Sequence, residues 1–214
     1  MRYLNKENWK RKKHFEFFKE FEIPFFNMCT NLDITNTFRY SKNNKLSLYR
    51  VVLYAVMHCC NALEEFRYRI REDDAIVIHG KVHPGVAMIS DGDVYTNFII
   101  PYKRKFSDFI NEYNKASEEA KGNIIVGEDQ EGKDDLIFIS SIPWTSFTSI
   151  TNPMRTGYRD SIPRIIFGKQ FKQNGKIMMP FSVQVNHCLM DGIHVSKYYF
   201  KLSEILSNPD KYFT

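Results

Sequence analysis

A histidine that follows a predicted strand is the residue in this sequence best placed to do chemistry. Residues 181–186 alternate apolar and polar side chains, the period of two typical of a half-buried strand, and His187 comes directly after them. Asp191 and Gly192 then form a turn dipeptide, and apolar residues recur at helical spacing from Val195 to Leu206. We therefore expect His187 at the mouth of a strand-turn-helix unit, where a neutral imidazole can act as a general base.

The same residues allow two other interpretations. Buried polar side chains are normally hydrogen-bonded, so His187 could be a structural histidine that is satisfied within the core. His187, Asp191 and His194 could also ligate zinc, but a strand-turn-helix unit places them on different faces, and no second cluster of ligands stands out. We therefore expect no metal site, and we treat His194 as structural.

Length and composition favour one soluble domain. The 214 residues contain no composition shift that would mark a linker, so we expect a single domain over residues 1–214. Hydrophobic residues make up 43% of the chain, enough for a sizeable core, yet no apolar run is long enough to cross a bilayer. The net charge of +5 would assist binding of a small polyanion, but it does not imply nucleic acid.

The N-terminus and the cysteines indicate the cytoplasm. Residues 1–14 are charged and lack the apolar centre of a secretory signal, so we do not expect export. The cysteines form no CxxC pair and are expected to be reduced core thiols, at Cys29, Cys59, Cys60 and Cys188. The basic segment WKRKKH, residues 9–14, could be a nucleic-acid patch, although a solvated helix face explains its lysines more simply.

Hydrophobic periodicity predicts helices and strands in both halves of the chain. Helical spacing covers residues 6–21, 46–66, 106–119 and 195–206. Strand-like runs cover residues 25–32, 76–78, 86–89, 95–100, 136–144, 165–167 and 176–185, with hairpin turns at residues 91–92 and 173–175. Residues 122–135 are polar and contain glycine, which indicates a surface loop. We expect an α+β fold, a two-layer sandwich in which helices pack on one face of a mixed, mostly antiparallel sheet.

Several motifs resemble those of one known family. Residues 182–197, SVQVNHCLMDGIHVSK, are similar to SVQVHHxVCDGFHVxR, the signature of the chloramphenicol acetyltransferases. Four further segments resemble family motifs in the same order: residues 8–17 the N-terminal NWxRxxHFEF, residues 32–35 IDIT, residues 61–70 the segment ending ELRxAI, and residues 140–144 SxxPW. The resemblance covers almost the whole chain, and several motifs in one order are more specific than any single motif.

This resemblance implies acetyl transfer from the co-substrate acetyl-coenzyme A to a hydroxyl of chloramphenicol or a similar small acceptor, through a ternary complex. His187 matches the catalytic base, whose other ring nitrogen is held in the family by the histidine's own backbone carbonyl. Ser140 matches a serine that donates a hydrogen bond to the oxyanion. Asp191 matches an aspartate that pairs with an arginine, here Arg11, and we interpret that pair as structural. The mechanism requires the His187 imidazole and the Ser140 hydroxyl to meet in one cleft.

The acceptor side departs from the family pattern more than the catalytic residues do. Aromatic pocket positions of the family are matched at Phe18, Phe26 and, with a one-residue ambiguity, Tyr95. Ile166 stands where the family usually has a threonine, and Phe138 where an asparagine is common. Glu22 falls in an apolar or small segment of the family pocket, and Asn186 replaces the first histidine of a His-His pair. These changes leave the base in place but alter the surroundings of the acceptor.

The resemblance also implies a homotrimer with active sites between subunits, and antibiotic resistance where chloramphenicol is the acceptor. Two alternatives remain open. The same machinery could acetylate a different hydroxyl or amine acceptor, or the chain could be a non-catalytic coenzyme A-binding module of the same fold. Release of thiol from acetyl-coenzyme A in the presence of different acceptors separates these alternatives.

Overall fold

The computed structural model describes residues 1–127 and 132–213. Its strands are β1 (Arg2–Tyr3), β2 (Phe25–Asp33), β3 (Tyr68–Ile70), β4 (Ile76–Ile78), β5 (His83–Ile89), β6 (Tyr95–Ile99), β7 (Leu136–Ile142), β8 (Arg164–Gly168), β9 (Phe171–Gln173) and β10 (Lys176–Asn186). Its α-helices are α1 (Lys12–Phe18), α2 (Thr35–Asn43), α3 (Leu48–Ala62), α4 (Phe106–Ala120), α5 (Gly192–Ser207) and α6 (Pro209–Tyr212). Short 3-10 helices cover Lys6–Asn8, Glu64–Arg67 and Asp91–Asp93.

A mixed sheet forms the centre of the fold. Its strands lie in the order β2-β10-β8-β7-β5-β6, and β9 pairs with the start of β10. The pairs of β10 with its neighbours and of β5 with β6 are antiparallel, whereas β7 runs parallel to both β5 and β8. A second, three-stranded sheet has the order β1-β4-β3. The α+β class and the mostly antiparallel main sheet are confirmed.

One face of the main sheet is apolar because side chains alternate along each strand. A single row of paired residues crosses all six strands of the main path, and it consists of Phe98, Val86, Ile139, Ile165, Val183 and Met28. Helices cover this face: Tyr113 of α4 meets Phe98 edge-on, and Tyr49 of α3 lies against Phe167 of β8. The opposite, helix-free face carries the neighbouring row, in which Ser140, Ile166 and Ser182 lie side by side.

The N-terminal helix is shorter than predicted. Residues 6–21 were expected to form one helix, but a 3-10 turn and α1 are separated at Trp9, whose backbone is extended. The break lets the Trp9 ring pack edge-on against Tyr68, with ring centroids 6.2 Å apart. Aromatic packing between segments therefore overrides the helical spacing of this stretch.

Helix α2 has no counterpart in the sequence-based prediction. Its buried residues include Thr37 and Ser41, so a small polar face replaces the apolar stripe on which such a prediction depends. The Asp33 carboxylate accepts the backbone N–H of Thr35, the first residue of the helix, at 2.9 Å, while the N-cap residue is Ile34.

The other predicted helices and strands are confirmed within three residues at each end, except that α3 ends at Ala62, four residues before the predicted end, and a 3-10 helix at Glu64–Arg67 follows it; the hairpin at Asp91-Gly92 is confirmed. The predicted loop at 122–135 has no helix or strand in its described part, and its residues 128–131 lie outside the described residues. All four cysteines are free thiols. No helix among residues 1–127 and 132–213 is long and apolar enough to cross a membrane.

Candidate active site

The turn after β10 is built largely by Asn186. Its side-chain oxygen accepts the backbone N–H of Cys188 at 2.9 Å, and its carbonyl accepts the N–H groups of Leu189 and Met190 at 3.1 Å each. Asn186 is 2% exposed, so these bonds form away from solvent. One residue thus satisfies three successive backbone donors, which fixes the path of the chain around His187.

The hydrogen bonds of His187 determine which ring nitrogen can act as a base. Nδ1 lies 2.9 Å from the carbonyl oxygen of Met190 and 3.2 Å from a carboxylate oxygen of Asp191. Both partners only accept, so in the neutral ring Nδ1 carries the proton and Nε2 carries the lone pair. No hydrogen bond to Nε2 is recorded within the described part of the chain. The ring is oriented as a general base requires.

The partner of Nδ1 differs from the one the family resemblance implies. The histidine's own backbone carbonyl was expected to hold Nδ1, but that carbonyl accepts a hydrogen bond from Arg11 Nη2 at 2.9 Å. The Nδ1 of His187 instead faces the carbonyl of Met190, three residues along the turn. That expectation is wrong, although the resulting tautomer is the same.

Two phenylalanines enclose the His187 ring. Phe18, at the end of α1, stacks on it with centroids 4.0 Å apart and an interplanar angle of 14°. Phe26 of β2 lies at 4.7 Å. The His187 side chain remains 31% exposed, so one part of the ring is open while its faces are packed. Both phenylalanines were predicted as acceptor-pocket residues, and the structure brings them to the base.

Arg11 and Asp191 form the predicted ion pair. Arg11 Nη1 donates to a carboxylate oxygen of Asp191, and only 9% of Arg11 is exposed. Burial lowers the pKa of the Arg11 guanidinium. Because Arg11 also holds the His187 carbonyl, this single side chain ties the N-terminal segment to both ends of the turn. A carboxylate oxygen of Asp191 also lies 3.2 Å from Nδ1 of His187, a contact that the sequence did not predict.

His194 stabilises the start of α5. Its Nδ1 accepts the backbone N–H of Asp191 at 2.9 Å, and Nε2 lies 3.7 Å from Glu65. Burial lowers the pKa of His194, and the carboxylate of Glu65 partly opposes that effect. The Nδ1 atoms of His187 and His194 are thus both engaged in local bonds. Within the described ranges no group of three His, Cys, Asp or Glu side chains is placed to hold a metal ion.

Asn186 also ties a neighbouring segment to the turn. Its amide nitrogen donates to the carbonyls of Tyr158 and Asp160 at 2.6 and 3.1 Å. With the bond to Cys188, the side chain donates twice and accepts once. A neutral histidine offers one donor and one acceptor, so it could not make all three bonds. The departure from the His-His pattern is therefore accounted for by a denser set of bonds around the turn.

Ser140 lies in a separate cavity on the helix-free face. The cavity has a volume of about 410 Å³, and its lining includes Gly85, Ala87, Tyr95, Asn97, Phe138, Ser140, Asn152 and Arg164. The Ser140 hydroxyl makes no hydrogen bond with any residue that the structure describes. Tyr95 and Phe138 thus share this cavity with Ser140, whereas Ile166 is the cross-strand neighbour of Ser140 and is 6% exposed.

A single chain does not bring His187 and Ser140 together. Ser140 is level with Ser182, two strands away across Ile166, and His187 follows Ser182 by five residues along β10 and its turn. With a rise of about 3.4 Å per residue and about 4.8 Å between strands, their Cα atoms are about 20 Å apart. His187 and Ser140 therefore share no cleft within one chain, because they belong to different parts of the sheet.

Arg164 lines the Ser140 cavity, and the sequence-based prediction did not include it among the site residues. It begins β8 and lies over the Phe138 ring at 5.3 Å. The available signal was a charged residue at the start of the apolar run Ile165-Ile166-Phe167, which is unusual for a central strand. Only the pairing of β8 with β7 places it beside Phe138.

Comparisons with known proteins show the family to which this fold belongs. The family model described as chloramphenicol acetyltransferase matches residues 2–203. The chain belongs to the chloramphenicol acetyltransferase family. A chloramphenicol acetyltransferase from Vibrio anguillarum is 28% identical over 97% of this chain and 94% of its own length. One from Clostridium perfringens is 25% identical over 96% and 98%.

Solved structures support the same assignment. A chloramphenicol acetyltransferase structure superposes with a TM-score of 0.86 at 26% identity, covering 95% of this chain and 98% of the other. A dihydrolipoamide acetyltransferase from Azotobacter vinelandii has a TM-score of 0.73 at 17% identity over 94% and 88%, a likeness in fold alone. The known reaction of the chloramphenicol acetyltransferase family is the acetyl-coenzyme A-dependent O-acetylation of chloramphenicol.

Proposed function

We propose that this chain transfers an acetyl group from acetyl-coenzyme A to a hydroxyl of chloramphenicol or a similar small acceptor, with His187 as the general base. The observation that carries the proposal is the state of the His187 ring. Its Nδ1 is held by the Met190 carbonyl, and no hydrogen bond to Nε2 is recorded within residues 1–127 and 132–213. A fixed imidazole with an available lone pair is what proton abstraction from an alcohol requires.

The reaction is a direct transfer in a ternary complex. Nε2 of His187 takes the proton of the acceptor hydroxyl while the oxygen attacks the thioester carbonyl. The tetrahedral intermediate carries an oxyanion, to which the Ser140 hydroxyl donates a hydrogen bond. Collapse expels the coenzyme A thiolate, which takes the proton from the imidazolium. The acceptor leaves as an acetate ester, and the imidazole returns to its neutral form.

Two chains supply one active site in this proposal. Since His187 and Ser140 are about 20 Å apart within a chain, they can serve one intermediate only if Ser140 comes from a neighbouring subunit. A homotrimer, in which each interface joins the base of one subunit to the hydroxyl of the next, satisfies this requirement. The acceptor would then contact Phe18 and Phe26 of one subunit and Tyr95 and Phe138 of its neighbour.

The proposal also includes a single domain and a cytoplasmic location. Residues 1–214 act as a single acetyltransferase domain. The cytoplasm is the proposed location, because it keeps thiols reduced and all four cysteines are free. Burial raises the pKa of the Cys188 thiol, next to the base, to about 12, so this thiol stays protonated and does not compete as a nucleophile. Where chloramphenicol is the acceptor, acetylation would confer resistance.

Thiol release from acetyl-coenzyme A, with and without chloramphenicol, tests the proposal. We expect release that depends on chloramphenicol in the wild-type protein and none in His187→Ala. Release with another hydroxyl or amine acceptor, and not with chloramphenicol, would move the activity to that acceptor. Binding of coenzyme A without thiol release for any acceptor would contradict an enzymatic role and support the non-catalytic alternative.

A further inference from the structure

Arg164 occupies a position from which it can meet an acceptor bound beside Ser140. It lies on the helix-free face, paired with Phe138 on one side and Gln184 on the other. Ile166, the cross-strand partner of Ser140, follows it by two residues along β8. Strand geometry therefore puts the Cα atoms of Arg164 and Ser140 on the order of 8 Å apart, and both side chains line one cavity.

The guanidinium of Arg164 is held in place before any ligand binds. Asp160 receives two parallel hydrogen bonds, from Nη1 at 3.1 Å and from Nη2 at 2.8 Å, and the Ile162 carbonyl accepts a further bond from Nη1 at 3.1 Å. The side chains of Arg164 and Asp160 are 13% and 11% exposed. The Phe138 ring supports one face of the group, at 5.3 Å from its central carbon. Little conformational freedom is left to lose on binding.

One edge of this guanidinium has no recorded partner. An arginine side chain carries five N–H donors, and the three bonds above use both hydrogens of Nη1 and one of Nη2. The Nε–H and the second Nη2–H have no partner among the residues that the structure describes. These two donors are parallel, a geometry that matches a planar group with two oxygens.

We propose that Arg164 selects acceptors that carry a planar two-oxygen group, a nitro group or a carboxylate, at the end remote from the acetylated hydroxyl. The inference rests on the proposed function, because it assigns the Ser140 cavity to the acceptor. Asp160 balances the charge of Arg164, so a neutral nitro group is accommodated as well as an anion. Amide side chains of Asn97 and Asn152 supply further donors in the same cavity.

The position of Asp160 adds a physical reason for a fixed geometry. Its carbonyl accepts a hydrogen bond from Asn186, the residue that builds the turn of His187. In the proposed trimer that turn serves the adjacent active site, so Asp160 holds parts of two sites in one chain. Because Asp160 and Phe138 fix the guanidinium of Arg164, it can require the two-oxygen group of the acceptor to lie at a set position relative to Ser140.

Three matched acceptors test the inference: chloramphenicol, its analogue with hydrogen in place of the nitro group, and its analogue with a carboxylate in that place. We expect wild-type kcat/KM to favour the nitro and carboxylate compounds over the hydrogen analogue by about tenfold or more. In Arg164→Met both preferences should fall to near unity. In Arg164→Lys the carboxylate preference should persist, since the charge remains, while the nitro preference is lost with the planar fork. Equal preferences in wild type and Arg164→Met would overturn the inference.

Two controls distinguish a loss of acceptor preference from a loss of folding and from a loss of turnover. Arg164→Met leaves Asp160 buried without its partner, so the double variant Asp160→Asn, Arg164→Met removes both charges and is measured in parallel. If no acceptor releases thiol, the proposed function fails, and dissociation constants of the three compounds are then measured by calorimetry without acetyl-coenzyme A. The same tenfold preference in binding, lost in the double variant, supports the role of Arg164, and its absence in the wild type contradicts it.

Discussion

The turn that carries His187 and the cavity that contains Ser140 are built in opposite ways. Around His187, backbone and side-chain groups are almost all engaged: its N–H donates to Pro24, its carbonyl accepts from Arg11, and Nδ1 faces Met190. Around Ser140, the hydroxyl has no partner among the described residues, and the cavity is open to ligands. The first region is fixed by its own chain, while the second is left to be completed by what binds there.

The difference follows from what each residue has to do. A general base must present one nitrogen at a fixed angle, so its other contacts are satisfied in advance. A donor to an oxyanion must have its hydrogen free until the charge develops, so a partner in the resting state would compete. With about 20 Å between them, the proposed mechanism needs the base of one chain and the hydroxyl of another.

Removal of the base should have the largest effect. His187→Ala should lower kcat by about 10²- to 10⁴-fold, the usual contribution of a general base, because it removes the imidazole that takes the proton of the hydroxyl. Thiol release under saturating substrates measures the loss. The exposed His14 in α1 provides the matched control, and His14→Ala should keep wild-type turnover. Turnover in His187→Ala above a few per cent of wild type would refute the role of His187.

Loss of the Ser140 hydroxyl should reduce the rate without weakening binding. Ser140→Ala should lower kcat by about 100- to 1000-fold, with little change in KM for the acceptor, since the bond forms only in the transition state. Ser141 is the control, because it pairs with Phe167 and so lies on the helix-covered face. An effect confined to KM, or an equal loss in Ser141→Ala, would argue against the oxyanion role.

The ion pair between Arg11 and Asp191 should contribute measurably to the stability of the fold. Arg11→Met leaves the Asp191 carboxylate without its partner and should lower the free energy of unfolding by about 2 to 3 kcal/mol, less than for a fully buried pair. Denaturant titration measures this change, with the exposed Lys10→Met as control. The double variant Arg11→Met, Asp191→Asn should recover part of the loss. Unchanged stability in Arg11→Met would show that the ion pair does not stabilise the turn.

The smallest effect concerns pH and His194. Burial lowers the pKa of His194 in the folded protein, so between the folded and unfolded pKa values the unfolded chain binds more protons. Stability should therefore fall as the pH drops below about 6.5, the ordinary pKa of histidine. His194→Gln should flatten the dependence of unfolding free energy on pH between 7 and 5, as denaturant titrations at several pH values measure. A steeper dependence in His194→Gln would contradict the assignment.

The His187 region could be predicted from sequence because its elements are local. The alternation before His187, the Asp191-Gly192 turn and the helical spacing after Val195 all lie within one continuous segment. The motif resemblance added Arg11, which the structure places on Asp191. The acceptor of the Nδ1 proton could not be predicted, because it depends on how the turn places the Met190 carbonyl beside the ring.

The Ser140 region shows where sequence reasoning ends. Strand β7 was predicted, but its parallel pairing with β5 and β8 brings together residues far apart in the chain. That pairing decides the partners of Ser140 and places Arg164 beside Phe138, and no local pattern encodes it. The same topology separates Ser140 from His187, which a list of motifs in chain order does not reveal. Helix α2 could not be predicted for a similar reason. Its buried side carries small polar residues, and the segments it packs against are distant in sequence.

Mixed oligomers test the division of the active site between chains most directly. Chains carrying His187→Ala and chains carrying Ser140→Ala are each nearly inactive alone, and they are co-expressed in equal amounts with different tags. If each site takes its base from one chain and its hydroxyl from another, about a quarter of the sites over all the trimers formed are intact, and the activity of the unfractionated mixture should return to about a quarter of wild type. Activity no greater than the sum of the two separate variants would contradict the account.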